Sequence, residues 1–194
     1  AYLSVAEALR HAGYVYGARV QIKWIDSETI TNDNVSETLA GCDGLLVPGG
    51  FGNRGIEGKI ATAHYARTNN VPYLGICLGM QIAVIEYARN VVGMRTANST
   101  EIDPQTEFPV VDIMEEQKSI VMKGGTMRLG AYKCVLDPSS KAAKLYGKEL
   151  VSERHRHRYE FNGQYFDKYE AAGMLFAGMN PESKLIEAIE LKDH

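Results

Sequence analysis

An α/β fold, an open and mostly parallel central sheet with helices on both faces, is predicted for this chain by three observations. Apolar runs of strand length alternate with segments of helical periodicity through the first half. Two of those runs stop in small residues, at Pro48-Gly49-Gly50 and at Gly75-Ile76-Cys77, and a helical pattern follows each. The second half turns to shorter strand candidates, which adds antiparallel hairpins to the plan.

Taken in order, residues 4–11 read as a helix because Val5, Ala8 and Leu9 share one face. Residues 20–25 read as a strand, 35–39 as a short helix and 44–47 as a buried strand. Residues 56–67 form a helical pattern, 71–76 a strand ending at Cys77, and 78–89 an apolar-faced helix that begins directly after it. This is βαβ grammar, which requires parallel strands covered by their crossover helices. Beyond Asn90 the strand candidates are residues 110–114, 127–135, 154–161, 175–178 and 185–191, with one helix near 165–171. There is no internal repeat and no linker rich in Pro, Gly or Ser, so residues 1–194 read as a single domain.

Composition bounds the function classes. With 45% apolar and 23% charged residues in 194, the chain is an ordinary globular sequence. A chain of this size buries roughly 70% of its unfolded surface, so it needs neither disulfides nor a structural metal. Cys42, Cys77 and Cys134 are odd in number, widely spaced and in no metal-type pair. Together with the absence of a leader-like start or a spanning apolar run, they point to a cytoplasmic, soluble protein. A net charge of −3 gives no basic surface for nucleic acid or membrane.

Cys77 is the candidate nucleophile. Gly75 and Gly79 stand two residues before and after it, between a strand and a helix, in the spacing of the G-x-S-x-G elbow with sulfur in place of oxygen. So sharp a turn crowds the backbone on either side, and residues without Cβ relieve the clash. The helix starting at Leu78 offers unpaired N–H groups and a positive dipole end, so a lowered thiol pKa is expected. The Leu78 N–H would be one oxyanion donor, and the Gly49-Gly50 loop the source of a second. The elbow alone is also compatible with a small buried residue closing a strand.

Other motifs read less sharply. Gly50-Phe51-Gly52-Asn53-Arg54-Gly55 matches G-x-G-x-x-G, but the ribose-binding acid expected about twenty residues on is missing, so the loop suits a small ligand better, with Phe51 and Arg54 as a lid. Arg154, Arg156 and Arg158 alternate with His155 and His157, which in a strand puts arginines on one face and histidines on the other rather than making a nucleic-acid tail. No third ligand accompanies the two histidines, so no metal site is assigned. His11 and His64 read as surface or satisfied core histidines, and Asp112, Glu115 and Glu116 as a solvated turn. Lys123-Gly124-Gly125 lacks the Walker A spacing, and no ATP site is assigned.

Several runs stand in order with the elbow: Leu46-Val47-Pro48-Gly49-Gly50-Phe51-Gly52, Gly75-Ile76-Cys77-Leu78-Gly79-Met80-Gln81, Ala97-Asn98-Ser99-Thr100-Glu101, Gly124-Gly125-Thr126-Met127-Arg128-Leu129-Gly130 and Arg154-His155-Arg156-His157-Arg158-Tyr159-Glu160. Together they resemble the glutaminase domains of the CTP synthase family, which are class-I glutamine amidotransferases, over nearly the whole chain. The resemblance implies that L-glutamine is hydrolysed here through a thioester on Cys77, and that ammonia passes to a synthetase domain that aminates UTP to CTP. It implies no cofactor in this domain. It also implies that ATP and Mg belong to the synthetase domain, which these residues do not contain, that GTP acts as activator, and that the full enzyme is a homo-oligomer. By the same matching, Gly50 and Leu78 donate to the glutamine carbonyl, while Gln81, Glu101 and Arg158 hold its amino-acid end. A carboxylate for the ammonium and a guanidinium fork for the carboxylate suit a zwitterion.

One departure accompanies these matches. Family members carry a His-Pro-Glu run that supplies the base for the cysteine, and the 194 residues contain none. Lys192-Asp193-His194 resembles the stretch just upstream of it, so His194 is not that base. The expectation is a domain truncated before the motif, attacking glutamine poorly. A glutamine-binding regulatory fragment with negligible turnover, or another cysteine-elbow hydrolase, are the alternative readings.

Overall fold

The computed structural model describes residues 2–113 and 127–194. The sequence readings that touch Met114, Glu115, Glu116 and the Lys123-Gly124-Gly125 run lie outside those residues. The chain opens with α1 (Leu3–Val15), a turn of 3-10 helix at Ser27–Thr29 and α2 (Val35–Leu39). A βαβα unit follows: β1 (Leu45–Val47), α3 (Ile56–Thr68), β2 (Tyr73–Gly75) and α4 (Leu78–Tyr87), the last running into a π-helical turn at Ala88–Val92. Next come β3 (Asn98–Ser99), β4 (Pro109–Ile113), β5 (Arg128–Leu136), α5 (Lys141–Tyr146), β6 (Leu150–His157), β7 (Tyr159–Phe161), α6 (Phe166–Ala171), β8 (Met174–Met179) and β9 (Ile186–Leu191).

β1 and β2 pair in parallel, Leu45 against Tyr73 through Val47 against Gly75, as the βαβ reading requires. β3 and β4 are also parallel, whereas β4–β7, β5–β6, β5–β8 and β8–β9 are antiparallel. The chain is thus α/β with antiparallel strands in its second half. α4 is apolar apart from Gln81 and Glu86 and fills the centre. Ile82 and Ile85 are fully buried against Val110, Val111, Phe161 and Tyr169, each contributing about 1.5–3 kcal/mol by burial. Tyr169 also donates its hydroxyl to the Val84 carbonyl at 2.9 Å, so the one polar atom of a buried ring is paired.

Two strand expectations need correction. Residues 20–25 have the apolar composition of a strand but form none, because no described strand lies beside them to complete a ladder. Lys23 instead donates to the Thr38 carbonyl at 2.7 Å, and Trp24 is left 66% exposed. The single strand expected over residues 154–161 is two. β6 belongs to the β6-β5-β8-β9 sheet and β7 to the β3-β4-β7 sheet, with Arg158 alone at the changeover. Asp112, expected in a solvated turn, is a residue of β4 whose carboxylate accepts the Thr100 hydroxyl at 2.6 Å.

Candidate active site

The elbow is built by close backbone packing. The Ile76 N–H still donates to the Val47 carbonyl at 2.9 Å, continuing the β1–β2 ladder, and one residue later Cys77 turns to φ 55°, ψ −106°. A side chain with that φ costs roughly 1–3 kcal/mol. The glycines explain why the turn is possible. A Cβ on Gly79 would stand 2.0 Å from the Val47 carbonyl oxygen, and one on Gly75 would stand 2.5 Å from the Gly79 carbonyl group. The Tyr73 hydroxyl donates to the Gly79 carbonyl at 2.8 Å and closes the turn from beneath.

The thiol departs from expectation. A lowered pKa was the elbow's reading, but burial pushes the Cys77 thiol up, the Leu78 N–H hydrogen bond pulls it down, and the Glu160 and Glu101 charges push it up again. The net direction is upward, because desolvation and two carboxylates disfavour a new anion more than one N–H favours it. Gly49 lies beside the Cys77 sulfur: a Cβ there would be 3.9 Å from Sγ. The loop after β1 therefore approaches the sulfur with nothing but backbone.

A cavity of about 340 Å³ opens over the sulfur and brings together Gly50, Cys77, Gln81, Glu101 and Arg158, residues drawn from four separate stretches of the sequence. Leu78 adds its backbone N–H while its side chain is buried in the core. Gln81 donates from Nε2 to the Tyr159 carbonyl at 2.9 Å. Glu101 accepts the Gly52 N–H on Oε1 at 3.2 Å, so the loop after β1 is tied to the acidic side of the cavity. Arg158 makes no hydrogen bond to another described residue, which leaves its guanidinium fork to the cavity.

Sequence reasoning did not assign Met127, Arg156, His157 or Tyr159 to this cavity, yet all four line it. The signal was the alternation itself, since a strand that ends beside the elbow brings both its faces to the opening. Phe51 lines the mouth and is 62% exposed, whereas Arg54 turns away to Glu28 at 2.7 Å and Asp26 at 3.5 Å and is no lid over the sulfur. His194 bonds the Ala66 carbonyl at 3.0 Å and is not part of the cavity wall. A larger cavity of about 480 Å³, between Ser36, Glu57, His64 and Arg89, is lined by no cysteine. The smaller one has the chemistry.

The charge of the Arg-His run is also resolved. His64 is a half-exposed histidine paired with the buried Glu86 carboxylate at 2.9 Å. In β6, Arg154 and Arg156 are exposed while His155 and His157 turn inward to Glu187 and Glu160, as alternation demands.

Comparison with known proteins fits this geometry. The family model for class-I glutamine amidotransferases matches residues 1–194. The CTP synthase of Bacillus subtilis strain 168 is 55% identical over 194 residues, the whole of this chain and 36% of that protein. That of Cytophaga hutchinsonii is 57% identical over the same span and 36% of its length. The chain thus spans 36% of the length of these curated relatives. Among solved structures, the glutaminase domain of Trypanosoma brucei CTPS with bound acivicin superposes with a TM-score of 0.91 at 43% identity, covering 98% of this chain and 75% of that one.

Proposed function

The chain belongs to the class-I glutamine amidotransferase family, with the glutaminase domains of CTP synthases, and from that premise we propose that Cys77 attacks the carboxamide of L-glutamine and releases ammonia for the amination of UTP to CTP by a synthetase domain. The observation that carries the proposal is the conjunction at Cys77. A strained elbow aims one sulfur into a cavity whose walls hold a carboxylate, Glu101, and a guanidinium, Arg158.

Each group has a role that its chemistry supports. Glu101 receives the ligand's ammonium and Arg158 its carboxylate, which orients the side-chain amide toward the elbow. Sγ bonds to the amide carbon, the carbonyl oxygen gains the charge, and the Leu78 and Gly50 N–H groups donate hydrogen bonds to that oxyanion. The proton given up by the thiol goes to the amide nitrogen, whose departure as ammonia leaves the γ-glutamyl thioester, and water hydrolyses that to glutamate and the free thiol. Gln81 supports the amino-acid end from the first turns of α4. The synthetase domain, its ATP and Mg, GTP as activator and a homo-oligomeric enzyme belong to the same proposal. It draws support from the relatives' names and from the 36% of their length matched here.

The test uses a thiol-directed glutamine analogue of the acivicin type on the full-length protein that carries this chain. Peptide mass spectrometry is expected to find the adduct on Cys77, with free glutamine protecting it. Labelling at Cys42 or Cys134 with none at Cys77 would overturn the assignment.

A further inference from the structure

Where β6 hands over to β7, the last rung of the β5–β6 ladder pairs Arg128 with His157. Glu160, two residues past the changeover, folds back onto both members of that rung. Its Oε1 accepts from Arg128 Nη1 at 2.9 Å and from His157 Nε2 at 2.7 Å. Arg128 is held from the other side by Glu187 of β9, at 2.7 Å through Nη2 and 3.3 Å through Nη1, and its guanidinium lies 4.2 Å over the Tyr132 ring. Arg128, Glu160 and Glu187 have side chains 5%, 7% and 4% exposed. So dehydrated a set of charges keeps one arrangement, because each unpaired alternative leaves an ion buried without a partner.

This corner is also the wall of the Cys77 cavity. His157, Arg158 and Tyr159 all line it, and Arg158 is the single residue between β6 and β7. Its direction is set on one side by His157, which Glu160 holds, and on the other by Tyr159, whose carbonyl Gln81 holds. We infer that Glu160, with Arg128 behind it, is a positioning residue for substrate capture. It fixes the corner at Arg158, so that the guanidinium meets the carboxylate of an α-amino acid, and it touches no substrate itself. The inference rests on the amidotransferase reading above and adds residues to it.

A positioning role predicts opposite effects on two reagents. In E160Q of the full-length protein, KM for glutamine should rise about tenfold or more while kcat changes much less, since uniform binding rather than transition-state stabilisation is lost. Labelling of Cys77 by the acivicin-type analogue should slow in parallel. Alkylation by iodoacetamide, which needs no amino-acid site, should be as fast or faster, because the Glu160 charge that holds the thiol up is gone. Cys134, only 5% exposed, reports folding in the same digest. Where E160Q lets Cys134 react, R128K, which keeps the charge but not the fork, takes its place with the same expected split.

Analogue labelling and KM within about twofold of wild type in a folded variant would overturn the inference, as would parallel loss of kcat with KM unchanged. Failure of the analogue to label Cys77 in wild type would instead overturn the amidotransferase reading, so the two failures are separable.

Discussion

Gln81 Nε2 donates to the main-chain carbonyl of Tyr159 at 2.9 Å, across 78 residues of sequence, and so joins the nucleophile's helix to the strand that continues from Arg158. The helix that sets Cys77 and the wall that carries Arg158 are therefore tied directly to each other. Replacing Gln81 with Ala should raise KM for glutamine about tenfold, the equivalent of roughly 1.4 kcal/mol. The same change should cost about 1 kcal/mol of folding stability. Steady-state kinetics beside urea unfolding would check it, and an unchanged KM would separate the bond from substrate capture.

Gly79→Ala should be far more damaging than its chemistry suggests. The added methyl would meet the Val47 carbonyl oxygen at 2.0 Å, and rearranging backbone to admit it costs about 3 kcal/mol. Cys77 should also lose its analogue labelling, since the turn opens. Gly163→Ala is the matched control: nothing lies within 4 Å of its added Cβ, and a change within about 0.5 kcal/mol is expected. Urea midpoints of the two variants make the comparison.

The raised thiol gives a pH prediction with a definite sign. Since burial, Glu160 and Glu101 outweigh the Leu78 N–H, iodoacetamide alkylation of Cys77 should climb through a midpoint above the usual thiol value of about 8.5. Glu101→Gln removes one of the charges that raises it, so the midpoint should fall and the rate near neutrality increase. Glutamine binding should weaken in the same variant. A midpoint below the free-thiol value in wild type would show that the helix end dominates after all.

Stability should fall in acid through Glu86. Its side chain is 3% exposed, with Arg67 at 2.7 Å and His64 at 2.9 Å. Burial pushes this carboxyl up, but hydrogen bonds from Arg67, His64 and Asn90 more than offset it, and the net direction is down. A folded value below the unfolded one means the contribution is present above about pH 4.3 and is lost as pH drops through the folded value. Arg67→Met should cost about 3 kcal/mol at neutral pH, because it strands a buried carboxylate. It should also reverse the acid effect, since protonation then relieves the variant. Urea unfolding at pH 7 and pH 4 reads both signs.

What the sequence made legible was local. The Gly75-Ile76-Cys77-Leu78-Gly79 spacing follows from steric contacts among neighbouring backbone atoms, so the elbow could be read from five residues. α3 and α4 were legible from periodicity in the same way. α5 was missed although Ser140, whose hydroxyl caps the Ala143 N–H, and Gly147 at φ 65° mark its two ends. Those are helix-start and helix-stop signals that six residues leave easy to overlook.

The rest depended on distant partners. Alternation runs unbroken from Arg154 to Phe161, and no turn residue marks Arg158 as a changeover. That break is made by which strand each half finds, and the partners of Glu160 come from β5 and β6. Residues 20–25 fail in the opposite sense, having strand composition without a ladder to join. Even the thiol's direction was non-local, since burial by the surrounding fold raises it first and two carboxylates remote in sequence from Cys77 add to that.

The φ of 55° at Cys77 has a further meaning for the life of the chain. No isolated strand-turn-helix fragment would hold an L-residue there for long; the twist is kept by Val47, Tyr73 and Gly79 pressed around it. The setting of this sulfur is thus made by assembly, and a partly folded chain carries three sulfhydryls with nothing to tell them apart. A reagent shaped to the Cys77 cavity would therefore distinguish a molecule whose β1–β2 ladder has closed from one whose ladder is still open.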